Sequence, residues 1–223
     1  MECPPQLNVK IPKKSDLPDN LTPWNIVELP IDILLMTVED DEFLSCFSYL
    51  EKPFKSYHKN IGYVYFGSIG SERGKKRKIG LMKCSKGSAD PGSSLSVVKD
   101  AVRVLRPRAV FSVGACSGLN CKKTRLGDVV VSAKLITPSY KTPPGRYIGI
   151  LIRHIADGWK APLEKPDERE MRVLCDGVVL SIQKSDGGWP YEEIIRRYPE
   201  ATAVEMEGGG KNFSPLLDRC FVL

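Results

Sequence analysis

Residues 110–136 read VFSVGACSGLNCKKTRLGDVVVSAKLI, and this stretch decides the class of fold. Its opening, AVFSVG from Ala109, is an unbroken apolar run of strand length, as in a strand buried on both faces. Small residues follow from Gly114 to Gly118, where a glycine-bearing loop is expected and a ligand can approach the backbone. LGDVVVSAKLI then reads as a further strand. Just upstream, Leu95, Val98, Ala101, Val102 and Leu105 fall on one side of a helix that Ser93 or Ser94 can cap and Pro107 stops. Helix, strand, loop and strand in succession point to an α/β protein.

The same alternation extends in both directions. IDILLMTV (31–38) is another buried-strand run, and EDDEFLSCFSYLEK (39–52) follows as a helix. Phe43, Cys46, Phe47 and Leu50 line one side of that helix, and acids fill its first turn, where the macrodipole favours them. GYVYFGSI (62–69) and KIGLMKC (78–84) read as strands joined by a hairpin. Downstream, 137–145 is a proline-rich loop and RYIGILIRHIADGW (146–159) has helical periodicity. REMRVLCDGVVLSI (169–182) alternates like a strand, YEEIIRRYPEA (191–201) is a short helix ended by Pro199, and TAVEMEGGG (202–210) is a strand running into glycines. Residues 1–30 carry six prolines among polar residues, at 4, 5, 12, 18, 23 and 30, and are expected to form an arm or linker. The domain proper is expected over 31–223.

Composition narrows the class further. The 223 residues include 33 Lys plus Arg and 27 Asp plus Glu, a net charge of +6, and 42% are apolar. That content excludes a wholly disordered chain and an aperiodic glycine and proline usage excludes a fibrous repeat. No apolar run approaches the ~20 residues of a spanning helix, and the first residues lack a signal-peptide core, so a cytoplasmic protein is expected, with no membrane partner. The seven cysteines (3, 46, 84, 116, 121, 175 and 220) form no C-x-x-C pair, and His58 and His154 stand apart from them, so neither a disulfide framework nor a metal site is expected. Five cations lie within Arg73–Lys78, but between two strand-like runs they read as a solvated turn; nucleic acid is not expected as a partner.

In an open α/β sheet, ligands bind at the carboxyl ends of strands. Three such ends here carry chemistry: the acids of TVEDDEF, the small residues of SVGACSGL, and Glu205 with Glu207 in AVEMEGGG. On a strand, Glu205 and Glu207 share one side and Met206 faces the other. An unpaired carboxylate costs several kcal/mol to bury, so the two acids mark either a site or the point where the strand emerges into solvent.

Taken together, VFSVGACSGLNCKKTRLGDVVVSAKLI and AVEMEGGG resemble the nucleoside phosphorylase superfamily, in particular the methylthioadenosine/S-adenosylhomocysteine nucleosidases. The likeness spans about residues 31–210 in the family's order of motifs. It implies a three-layer α/β fold in which a twisted mixed sheet, flanked by helices, carries a purine nucleoside across its strand ends. By the same resemblance, Glu207 accepts the ribose 2′- and 3′-hydroxyls, for which an acceptor-only carboxylate is suited. Met206 packs on the sugar, with Glu205 beside them. Gly114, Ala115, Cys116 and Ser117 match the segment next to the base and C1′. Glu42 matches the acid that activates water, and Asp41 is one register away. No cofactor is implied, and family members self-associate, so a homo-oligomer is expected.

The resemblance also carries departures. Phosphorylases of this group place an arginine for phosphate where this chain has Ser112, and the acidic turn replaces a glycine and arginine, so hydrolysis is favoured over phosphorolysis with phosphate as co-substrate. Ser117-Gly118 stands for a glycine pair, and Ser185 falls near the phenylalanine that stacks on adenine. After Gly210 only KNFSPLLDRCFVL follows, with Asp218 as its one acid, where the family continues to a Ser-Asp pair that protonates the leaving purine. A chain lacking the family's final strand and helix is the expectation. The alternative function is a catalytically inactive nucleoside-binding or signalling module.

Overall fold

The computed structural model describes residues 6–70, 74–85, 94–119, 123–136, 141–142, 146–166, 170–182, 190–205 and 219–222. Two compact units divide the chain: Lys10–Val113, and Gly114–Leu223 together with Met1–Val9. The expected calls at Met206, Glu207, Ser185 and Asp218 lie outside the described residues.

The unit 10–113 is built on five strands, β1 (Ile33–Thr37), β2 (Glu51–His58), β3 (Gly62–Ile69), β4 (Arg77–Lys83) and β5 (Ala109–Ser112), with helices α1 (Asp40–Ser48) and α2 (Ser94–Leu105). The order is β2-β3-β4-β1-β5. β1 runs parallel to β4 and β5, whereas β2, β3 and β4 pair antiparallel. Alternation along the strands divides the core between two faces. Leu34, Met36, Val64, Phe66 and Met82 pack with Ala101 and Leu105 of α2. Ile79 and Leu81, flanked by Ile33, Leu35 and Tyr65, pack with Phe43 and Phe47 of α1. A helix therefore covers each face of this sheet, the layered α/β arrangement expected. Leu34, Val64 and Leu81 are fully buried, each contributing roughly 1.5–3 kcal/mol of transfer free energy.

β2 has no counterpart among the expected strands. Its residues EKPFKSYH are mostly polar and include Pro53, which suits an edge strand; Phe54 holds it by stacking on Phe66, with centroids 5.3 Å apart. The strands on either side of the basic run pair antiparallel, with Ile69 opposite Arg77, and 71–73 lie outside the described residues. Three of the run's cations meet acids of the same unit: Lys76 pairs with Glu51, Arg77 with Asp32 and Lys78 with Glu28. The proline-rich segment makes two short 3-10 turns, at Lys14–Asp16 and Trp24–Ile26. Trp24 lies against His58 and Phe66, with centroids at 4.7 and 5.9 Å. Leu21 bridges in parallel to Lys55, whose carbonyl accepts the Thr22 N–H at 2.8 Å.

The second unit contains β6 (Gly114–Gly118), β7 (Val129–Ile136), β8 (Lys141–Thr142), β9 (Val173–Ser181), β10 (Ala203–Glu205) and β11 (Arg219–Val222), with α3 (Arg146–Ile152) and α4 (Tyr191–Arg197). The order is β11-β6-β10-β9-β7-β8, and β11 also pairs with β7, so five strands close into a ring. Pairing is again mixed: β6 is antiparallel to β10 and β11, while β9 is parallel to β7 and β10. Gly114–Gly118, expected as a loop, is thus a strand. Its low strand propensity is overridden by partners on both sides, which satisfy the backbone of a segment with little side chain. Helix α3 ends at Ile152, and the stretch to Gly158 proceeds in turns with i to i+3 bonds, such as His154 N–H to the Leu151 carbonyl. Ile194 of α4 is fully buried with Ile136, Leu180 and Val204. No helix among the described residues is long and apolar enough to cross a membrane.

Candidate functional site

The acidic turn after β1 becomes the first turn of α1, and its carboxylates have three different environments. Glu42 is buried, and its Oε2 accepts the N–H groups of Val38 at 3.0 Å and Glu39 at 2.9 Å. With the Glu39 side chain on the N3 amide, this is a reciprocal capping box, which satisfies donors that any helix start leaves unpaired. Asp41 is exposed and its Oδ1 accepts the Glu42 N–H at 3.1 Å. Asp40 lies between two ammonium groups, Lys14 at 2.5 Å and Lys83. Hydrogen bonds from Lys14 and then Lys83 hold its carboxyl below the usual carboxylate range.

Asp40, Lys14 and Lys83 border a cavity of about 450 Å³ that is walled by Phe43, Tyr63 and Tyr65. The register Thr37↔Lys83 puts this cavity at the carboxyl ends of the parallel strands β1 and β4, where α/β sheets bind ligands. Burial, followed by the Tyr63 and Asp19 charges, raises the Tyr65 phenol. At the adjoining end of β5, Ser112 pairs with Met36, and the Val113 N–H reaches the Met36 carbonyl at 2.8 Å. The chain enters β6 at the next residue.

In the other unit the small-residue segment and the AVE strand are neighbours. β6 and β10 pair through Ala203↔Gly118 and Val204↔Ser117, so Gly114–Ser117 and Glu205 lie on neighbouring strands of one sheet. Glu205 ends β10, and its carbonyl accepts the Ile182 N–H at 3.3 Å. Cys116 is buried with Val130, Val179 and Ala203, so its side chain belongs to the core. Gly118 has no room for a side chain: a Cβ there would lie 2.2 Å from Thr124 Oγ1. Its carbonyl accepts the Tyr191 hydroxyl at 3.3 Å.

Two features had no reading in the sequence. One is the lysine pair at the cavity. Lys83 closes an apolar strand beside the acidic turn, a signal that could have marked it, but nothing local marks Lys14. The other is Asp128, the acid of the GDVVV run. Its fully buried carboxylate accepts from Arg125 N at 2.9 Å, Arg172 N at 3.2 Å, Arg172 Nε at 3.3 Å and Arg172 Nη2 at 2.5 Å. Burial pushes this carboxyl up, but the Arg172 side chain and the two backbone donors outweigh it, leaving it below the usual range. Among the described residues no group of three or more His, Cys, Asp or Glu could hold a metal ion.

No protein-family model matches the sequence. A Death domain-containing ATP nucleosidase of Amphimedon queenslandica is 22% identical over 213 residues, which cover 81% of this chain and 39% of that protein. The chain thus spans about two fifths of that relative's length. The methylthioadenosine/S-adenosylhomocysteine nucleosidase of Neisseria meningitidis, solved with methylthio-immucillin-A, superposes with a TM-score of 0.57 at 17% identity. The match covers 79% of this chain and 76% of that one. The S. pneumoniae enzyme gives 0.58 at 16% identity over the same shares, 79% and 76%. The futalosine hydrolase of Helicobacter pylori gives 0.51 at 16% identity, covering 80% and 76%.

Proposed function

From the nucleosidase fold as premise, we propose that this chain hydrolyses the N-glycosidic bond of a purine nucleoside or nucleotide. The observation that carries the reading is that this fold, over four fifths of the chain, coincides with chemistry at its strand ends. The acidic first turn of α1 follows β1, while Gly114–Ser117 and Glu205 occupy adjacent strands. The name of the curated relative, an ATP nucleosidase, supports the same reaction class.

In the proposed reaction, water attacks C1′ and the C1′–N bond breaks. A carboxylate of the α1 turn takes the water proton and later returns it to solvent, and the departing purine anion takes up a proton from solvent water. By resemblance, Gly114, Ala115, Cys116 and Ser117 correspond to the segment beside the base, and Met206 and Glu207 to the residues that hold the ribose. Ser112 in place of an arginine supports water over phosphate as nucleophile. The Glu42 carboxylate already holds the start of α1, so two variants separate its roles. Glu42→Gln keeps an oxygen acceptor for the cap but removes the base, and Asp41→Asn tests the neighbouring acid. Whichever residue is the base, its amide variant should lose about 10²–10⁴-fold in rate.

The test is chromatographic detection of free base from ATP, adenosine, inosine and methylthioadenosine, with and without inorganic phosphate. Base release independent of phosphate is expected. No base from any of them refutes the reaction; calorimetric binding without turnover would then favour the inactive binding module.

A further inference from the structure

We propose that the Lys14–Lys83 cavity in the unit 10–113 holds the phosphate groups of the substrate, so that the chain selects a nucleotide over an unphosphorylated nucleoside. The proposal rests on the hydrolytic reading above and adds the substrate's charge class to it.

The cavity has the required chemistry in one place. Two ammonium groups, Lys14 and Lys83, meet at Asp40, while the neighbouring acids Glu39 and Asp41 are exposed. Each ammonium carries three donors, and the bond to Asp40 uses one, leaving donors on both lysines for further acceptors. Asp40 keeps the two cations together: Lys14 comes from the segment before β1 and Lys83 from the end of β4, 69 positions apart in the chain. A phosphate has the acceptor oxygens to bridge such a pair, and charge-assisted bonds of this kind are about twice as strong as neutral ones.

Position argues in the same direction. Asp40 is the residue directly before Asp41 and two before Glu42, the acids proposed to activate water. A ligand whose phosphate engages Lys14 and Lys83 therefore lies beside the helical turn that carries the proposed base. The wall of Phe43, Tyr63 and Tyr65 offers apolar and ring surface to the remainder of the ligand. The carboxyl ends of β1 and β4 are where this class of sheet binds ligands.

The experiment compares kcat/KM for ATP and for adenosine in the wild type, Lys14→Ala, Lys83→Ala, the double variant and Lys83→Arg. In parallel, inorganic tripolyphosphate is titrated by calorimetry. We expect the ATP-to-adenosine ratio to fall about tenfold or more in each alanine variant, and further in the double. Lys83→Arg should recover most of it, and tripolyphosphate binding should weaken in parallel. Both side chains are largely exposed, so these variants should fold, which their melting curves verify. An unchanged ratio with adenosine and ATP both cleaved overturns the phosphate assignment and leaves the hydrolytic reading standing. No base from any substrate, with lysine-dependent tripolyphosphate binding, overturns the reaction and supports the site. Base release that requires inorganic phosphate, with a KM for phosphate that rises in the lysine variants, assigns the cavity to a free phosphate and overturns the nucleotide assignment.

Discussion

Replacing Asp128 by alanine should destabilise the unit 114–223 more than any exposed substitution in it. The carboxylate is fully buried and accepts two backbone N–H groups and two guanidinium contacts. Removing one partner of a buried ion pair costs about 3–5 kcal/mol. Arg172 keeps 32% of its side-chain surface, so water can solvate the orphaned guanidinium, and the lower end, about 3 kcal/mol, is expected. At about 2–4 °C per kcal/mol for a chain of this size, that is a fall in Tm of about 6–12 °C. The assay is calorimetric melting of the wild type, Asp128→Ala, Asp128→Asn, Arg172→Ala and the double variant. The pH dependence has a definite sign. The folded pKa of Asp128 is depressed, so its stabilisation is fully present above the unfolded value, about 3.9, and is lost as pH falls through the folded value. The gap between wild type and Asp128→Asn should therefore be constant from pH 8 to about pH 5 and narrow below. A Tm loss under about 2 °C for Asp128→Ala, or a gap that does not narrow in acid, would refute the reasoning.

Further outcomes can be measured independently. Glu42→Ala, losing the acceptor for the Val38 and Glu39 amides, should cost about 0.5–2 kcal/mol in urea unfolding, and Glu42→Gln clearly less. Gly118→Ala should cost about 1–3 kcal/mol, since its Cβ would meet Thr124, and pairing it with Thr124→Ala should return part of the loss. The Cys46 thiol is pushed up to about 11, by burial and then by the Glu42 charge. It should therefore resist iodoacetamide at pH 7.5 in the folded protein and react once unfolded; rapid labelling at Cys46 itself in the native protein, read by peptide mass mapping, would contradict this.

Most of the framework was legible because each stretch carried its own period. β1, β4, β5 and β7 are apolar runs, and the Phe43/Phe47 spacing marks α1. What escaped depended on partners distant in the chain. β6 is strand only because β10 and β11 flank a segment whose residues have little propensity of their own. β2 is too polar to declare itself, and its place comes from pairing with β3. In the candidate site, the acids of the α1 turn and the small residues of β6 announced themselves by composition. The cavity did not, because Lys14, Asp40 and Lys83 converge only after β1 and β4 have aligned. Asp128 and Arg172 stand 44 positions apart, and no local pattern links them.

The bridge from Leu21 to Lys55 has a consequence for how the protein behaves in a crowd of its own copies. β2 is the last strand of its sheet, and an unpaired edge is a template for another chain. Leu21 and Thr22 occupy part of that edge, and the Ser56 hydroxyl donates to the Thr22 carbonyl at 2.8 Å. Pro18 and Pro23 flank them and have no N–H to offer a further strand. The proline-rich segment thereby acts as a guard rail, ending the sheet where it would otherwise invite a neighbour.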